Sequence, residues 1–121
     1  MTCCIIDYGI SNFSSVKNTI LTFKDDVMIS SEFKHIDNAS HLILPGVGSY
    51  GSGMRNLINQ NLVDFLHEQV LIKQKPILGI CLGMQLFATT GNEGGETKGL
   101  GWIKGAVKKI EISSSLRLPH V

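Results

Sequence analysis

Charge of either sign is almost balanced in this sequence. Eleven lysines and arginines against ten aspartates and glutamates leave a formal net charge of +1 over 121 residues. That balance gives no electrostatic reason to expect nucleic acid or an anionic membrane surface as a partner. Long apolar runs are missing as well. The opening MTCCIIDYG has no basic leader and its apolar stretch breaks at Asp7. It breaks too early for a signal peptide or a spanning helix, so a cytoplasmic location is expected. Cysteine is scarce, and two of the three, Cys3 and Cys4, are neighbours. On an extended strand they would point to opposite faces, which makes a poor disulfide framework and a better pair of small core residues. No CxxC or HExxH occurs and the histidines are scattered, so no metal and no cofactor is expected.

What remains is 43% hydrophobic and 17% charged, the profile of one soluble globular domain with a modest core. No linker divides residues 1–121, which are read as a single unit. Short unalternated apolar runs at Cys3–Ile6, 27–29, 42–44 and 77–80 are bounded by turn residues, as buried parallel strands are. Helical spacing lies between them. Phe13, Val16, Ile20 and Phe23 share one face behind an N-cap at Ser11 or Asn12, and Leu62, Phe65, Leu66 and Val70 share another. The second helix should end before Lys75-Pro76. The expected class is therefore α/β, an open and mostly parallel sheet flanked by helices. After Gly91 a glycine-rich loop is expected, then an extended or antiparallel strand over 105–112.

In such a sheet, ligands gather beyond the carboxyl ends of the strands. Three ends are informative: Asp7-Tyr8-Gly9 with Ser11-Asn12, Pro45-Gly46-Val47-Gly48, and Gly79-Ile80-Cys81-Leu82-Gly83. The last is GxCxG, the thiol form of a strand-turn-helix elbow whose glycines let a strained turn pass close to other backbone. Residues 84–88 are expected to continue as a helix until Gly91, and the positive end of a helix favours the reactive thiolate. Acyl transfer also needs a paired base and main-chain donors for the oxyanion. The amides of Val47 and Leu82 are the expected donors. A lone cysteine is more often packed than catalytic, and PGVG alone marks a turn; it is their combination that favours catalysis. GxCxG does not by itself choose a substrate, so other cysteine amidases or peptidases of α/β fold stay open. Asp7, Glu93 and Glu96 read as turn or surface carboxylates.

The stretches IDYGISNFSSV, LILPGVGSYGSGMRNL, KPILGICLGMQLF and EGGETKGLGWIKGAV together resemble the triad-type (class I) glutamine amidotransferases. The likeness is nearest to the glutaminase subunit of imidazole glycerol phosphate synthase. It implies a flavodoxin-like fold and hydrolysis of L-glutamine through a thioester on Cys81, with ammonia passed to a cyclase-type synthase subunit in histidine biosynthesis. A sugar-amidation pathway is the alternative. By resemblance Val47 and Leu82 supply the oxyanion hole, Gly46, Gly48 and Gln85 contact glutamine, and Asn12 faces the synthase.

Two departures stand out. Ser11 replaces the family's usual glycine, and the family's histidine-proline-glutamate element, which supplies the general base, is not matched. His35-Ile36-Asp37 imitates such a pair but lies upstream in a polar connection. His41 opens a strand at the end away from the site, and His67 lies on the polar side of a helical pattern. Pro119-His120 begins a family stretch that breaks off at Val121, so the chain is read as the N-terminal part of an amidotransferase domain, truncated and with little glutaminase activity alone. A non-catalytic, degenerate domain is the competing reading.

Overall fold

The computed structural model describes residues 2–10, 13–22 and 26–111. Four parallel strands form the main sheet: β1 (Cys3–Ile6), β2 (Val27–Ser30), β3 (His41–Leu44) and β4 (Ile77–Gly79), in the order β2-β1-β3-β4. Ile5 of β1 sits beside Ile29 of β2 and Ile43 of β3, and Ile43 beside Leu78 of β4. All four expected runs are strands. Because successive side chains alternate in direction, β1 sends Cys4 and Ile6 into the larger core and Cys3 and Ile5 into a smaller one.

The smaller core is roofed by α1 (Phe13–Leu21), whose Phe13, Val16 and Ile20 pack on Cys3, Ile5 and Ile43. Phe23 and the N-cap positions Ser11 and Asn12 lie outside the described residues. The other face carries α2 (Phe33–Asn38), α3 (Tyr50–Asn59) and α4 (Leu62–His67), which winds on into a π-helical turn at Glu68–Ile72. Leu44, Leu57, Leu62 and Leu66 are fully buried there. Each such side chain contributes about 2 kcal/mol of transfer free energy.

One of these helices departs from the reading of the sequence. His35-Ile36-Asp37 belongs to α2 and not to an irregular connection, because Ile36 plugs the core while two lysines hold the helix end. Lys75 Nζ donates to the carbonyls of Ile36 and Asp37 at 2.9 and 2.8 Å, and Lys73 Nζ donates to Asp37 Oδ1 at 2.7 Å. Cations at a helix C-terminus satisfy its last carbonyls. In α3, Gly51 and Gly53 weaken the intrinsic preference, but the Ser49 hydroxyl caps the Ser52 amide at 3.2 Å and Tyr50, Met54 and Leu57 fall on one buried face.

Beyond the main sheet lies a three-stranded one, β5 (Ala88–Gly91), β6 (Thr97–Lys98) and β7 (Ile103–Val107), with β5 in the middle. The strand expected over 105–112 thus begins and ends earlier, and it runs parallel to β5. Only β6 is antiparallel to β5, as the short glycine-containing turn between them requires. Trp102 ties this sheet to α4: its Nε1–H donates to His67 Nδ1 at 2.7 Å, and its ring lies 5.0 Å from that of Phe87.

Burial pushes the Cys4 thiol up to about 11 from an ordinary 9.0, with the neighbouring Cys3 adding to the shift. The unfolded chain therefore ionises first. The stability contributed by neutral Cys4 is complete below the ordinary value and is lost as pH rises through about 11. The urea midpoint is expected to fall across that interval, and Cys4→Ala to remove that part of the slope; a slope unchanged by the substitution would assign it elsewhere.

Candidate active site

The carboxyl ends of β1, β3 and β4 adjoin, and each leads into one of the three singled-out segments. Behind β1, Asp7 Oδ1 accepts the Gly9 amide at 3.1 Å, the turn role expected of it. Tyr8, fully buried, donates its hydroxyl proton to the Pro45 carbonyl, while its own carbonyl accepts from Gln60 Nε2 at 2.9 Å. Tyr8 thereby fastens the first loop to the second.

Cys81 follows β4 with φ 53° and ψ −120°, a left-handed conformation that costs a non-glycine residue about 1–3 kcal/mol. It is exposed, whereas Cys3 and Cys4 are buried. The flanking glycines explain how the turn is held. A Cβ on Gly83 would fall within the Leu44 carbonyl, and one on Gly79 would stand 2.6 Å from Met84 Cα. Gly46 is equally hemmed in, with Leu82 Cβ 3.0 Å from where its Cβ would be. The elbow and the PGVG turn are thus in direct contact.

The helix after Cys81 is shorter than the sequence suggests. α5 (Leu82–Gln85) is a single turn, and the chain enters β5 at Ala88 instead of running helically to Gly91. The cause lies downstream: the Leu100 amide takes the Leu86 carbonyl, and those of Trp102 and Ile103 take that of Phe87, each at 2.8 Å. Those carbonyls are spent on the small sheet.

Val47 is exposed, and its amide donates to the Ile10 carbonyl at 3.3 Å. The Leu82 amide donates to the Gly46 carbonyl at 3.2 Å. Both main-chain donors expected for an oxyanion therefore hold internal partners in this conformation. Gly48, at φ 101°, has open space where a Cβ would stand. Gln85 lies one helical turn beyond Cys81 and lines a cavity of about 500 Å³ together with Asn92, Glu93, Gly94, Val107, Lys108 and Lys109. Asn12 lies outside the described residues.

Glu93 is an exposed turn residue, as the sequence reading expects, and it has a further part in the site. The structure places it in the wall of that cavity, where its Oε2 accepts the Tyr50 amide at 3.2 Å at the start of α3. Its signal was the pair Gly94-Gly95, which turns the chain back immediately after β5. Glu96 is exposed, as expected.

The described histidines have partners of their own. His35 Nδ1 lies 2.7 Å from Ser30 Oγ, His41 Nδ1 lies 3.0 Å from Ser40 Oγ at the amino end of β3, and His67 accepts from Trp102. His120 lies outside the described residues. No group of three or more metal-ligating side chains occurs among the described residues, and no described helix is long and apolar enough to cross a membrane.

The sequence model for "Glutamine amidotransferase class-I" matches residues 4–114. The chain belongs to the class I glutamine amidotransferases. Among curated amidotransferase relatives, it is 45% identical to "Imidazole glycerol phosphate synthase subunit HisH 2" of Vibrio vulnificus, over all of this chain and 57% of that protein. It is 44% identical to the subunit of the same name from Methanococcus maripaludis, over 97% of this chain and 57% of the relative. The "HisH 1" subunit of Campylobacter jejuni strain 81-176 gives 44% over 97% and 58%. The chain thus spans under three fifths of the length of these relatives.

Two substitutions test the elbow. Cys81→Gly should raise unfolding stability by about 1 kcal/mol in urea titration, because glycine adopts the left-handed turn without strain. Gly83→Ala should lower it by about 3 kcal/mol, because the added methyl displaces β3 from the turn. Equal stability of both variants with the parent would contradict the strained geometry.

Proposed function

We propose that this chain carries the nucleophilic part of a glutaminase that hydrolyses L-glutamine and delivers ammonia to a cyclase-type synthase subunit in histidine biosynthesis, in the cytoplasm. The observation that supports this most is the exposed thiol of Cys81 on its left-handed turn, packed against the PGVG segment. The names of the amidotransferase relatives point to the same synthase.

In this reading residues 1–121 are the N-terminal part of the amidotransferase domain. The Cys81 thiolate attacks the side-chain amide carbon of glutamine, the C–N bond breaks with protonation of the leaving nitrogen, and water later cleaves the thioester to glutamate. The amides of Val47 and Leu82 stabilise the tetrahedral oxyanion once they exchange their bonds to Ile10 and Gly46 for the substrate oxygen. Gly46 lets the turn lie against Leu82, Gly48 leaves room for the substrate beside it, and Gln85 orients the substrate.

The cavity beyond Gln85 suits a zwitterion. Glu93 offers a carboxylate to the α-ammonium, and Lys108 and Lys109 offer positive charge to the α-carboxylate. Asn12 is assigned to the surface that meets the synthase. The proton transfers call for a base, a role that none of His35, His41 and His67 fills, since each is engaged elsewhere.

Iodoacetamide supplies the direct test. One equivalent should alkylate Cys81 and spare the buried Cys3 and Cys4, and L-glutamine should slow the reaction at least tenfold. Glutamate release, measured with a synthase subunit present and a histidine-bearing segment supplied, should disappear in Cys81→Ala. Alkylation indifferent to glutamine, with release unchanged in Cys81→Ala, would overturn the proposal.

A further inference from the structure

Tyr50 opens α3 directly after Ser49 and the PGVG turn, and it is fully buried. Its ring lies flush against the end of β5: a Cβ on Gly91 would fall inside the ring, and one on Gly99 would fall on the phenol oxygen. Only glycine at those two positions admits the side chain. The hydroxyl donates to the Ala88 carbonyl at 3.5 Å, too long to hold much. The grip is one of shape.

Gly91 stands two residues before Glu93, whose Oε2 accepts the Tyr50 amide at 3.2 Å. One residue thus meets Glu93 twice, through the strand that leads to it and at the carboxylate itself. A carboxylate accepts through both oxygens, so the bond to Oε2 leaves Oε1 for the cavity that Glu93 lines. On its other side the first turn of α3 is set against the elbow. A Cβ on Gly53 would stand 3.1 Å from Leu86 Cδ1 and 3.2 Å from Leu82 Cδ2. Tyr50 is therefore the spacer between the elbow and the carboxylate in the cavity wall.

We propose that Tyr50 is a positioning residue for the α-amino group of glutamine: its ring and its amide fix the Glu93 carboxylate at one place in the cavity, and so make the site select substrates that carry an α-ammonium. The proposal rests on the glutaminase reading. It differs from a packing role, in which loss of the ring would weaken every ligand alike.

The test follows protection of Cys81 in the full chain from iodoacetamide by L-glutamine and by glutaramate, which is glutamine without its α-amino group. L-Glutamine should halve the alkylation rate at a concentration roughly tenfold below that of glutaramate, as loss of one charged hydrogen bond implies. Tyr50→Phe, which keeps the ring, should keep that ratio. Tyr50→Leu should collapse it by weakening L-glutamine alone, with the glutaramate midpoint and the unprotected alkylation rate unchanged. Glu93→Gln should do the same. Should Tyr50→Leu fail to fold, the Tyr50 amide resonance of the parent decides: saturating L-glutamine should move it well beyond the shift that saturating glutaramate gives.

A ratio kept by Tyr50→Leu, a weakening of both compounds alike, or equal shifts of the amide resonance overturns the inference and leaves the glutaminase reading standing. So does equal protection of the parent by the two compounds. Protection of the parent by neither overturns both.

Discussion

The structure turns on how closely two backbones approach at one point. Gly83 lies so near the Leu44 carbonyl that no side chain fits between them, and Gly79 is pressed likewise against Met84. That contact clamps the end of β4 to the end of β3 and leaves Cys81 nowhere to turn except into the left-handed region. Exposure of the thiol follows from the clamp. So does the position of the Leu82 amide opposite Gly46, and with it the contact of the PGVG turn with the elbow.

The clamp gains support from outside the elbow. Tyr8 joins the loop after β1 to Pro45, and the small sheet draws off the carbonyls of Leu86 and Phe87 so that α5 ends after one turn. The early ending has a chemical effect. It sends the chain through β5 and round to Glu93, which brings a carboxylate and Gln85 to the wall of one cavity. A longer helix would have carried the residues after Gln85 past that space.

β1 and β3 were legible in the sequence because a strand buried on both faces needs an unbroken apolar run, and the edge strands β2 and β4 carry equally short, well-bounded runs although Met28 and Leu78 are exposed. The elbow was legible because glycine two residues either side of a cysteine has a steric meaning. Less could be read where long-range contacts decide. The glycines of α3 speak against a helix that a serine cap and three buried side chains nonetheless hold, and α2 depends on Lys73 and Lys75, far along the chain. The end of α5 was hidden for the same reason, since its competitors, the amides of Leu100, Trp102 and Ile103, come from a later segment.

Trp102 is the sole tryptophan of the chain, and its indole bridges two bodies of structure, lying tilted against Phe87 while donating to His67 on α4. All tryptophan emission from the protein therefore originates at the seam between the small sheet and the main layer. The molecule thus contains its own optical gauge of whether that seam is closed, one that needs no dye and no added label.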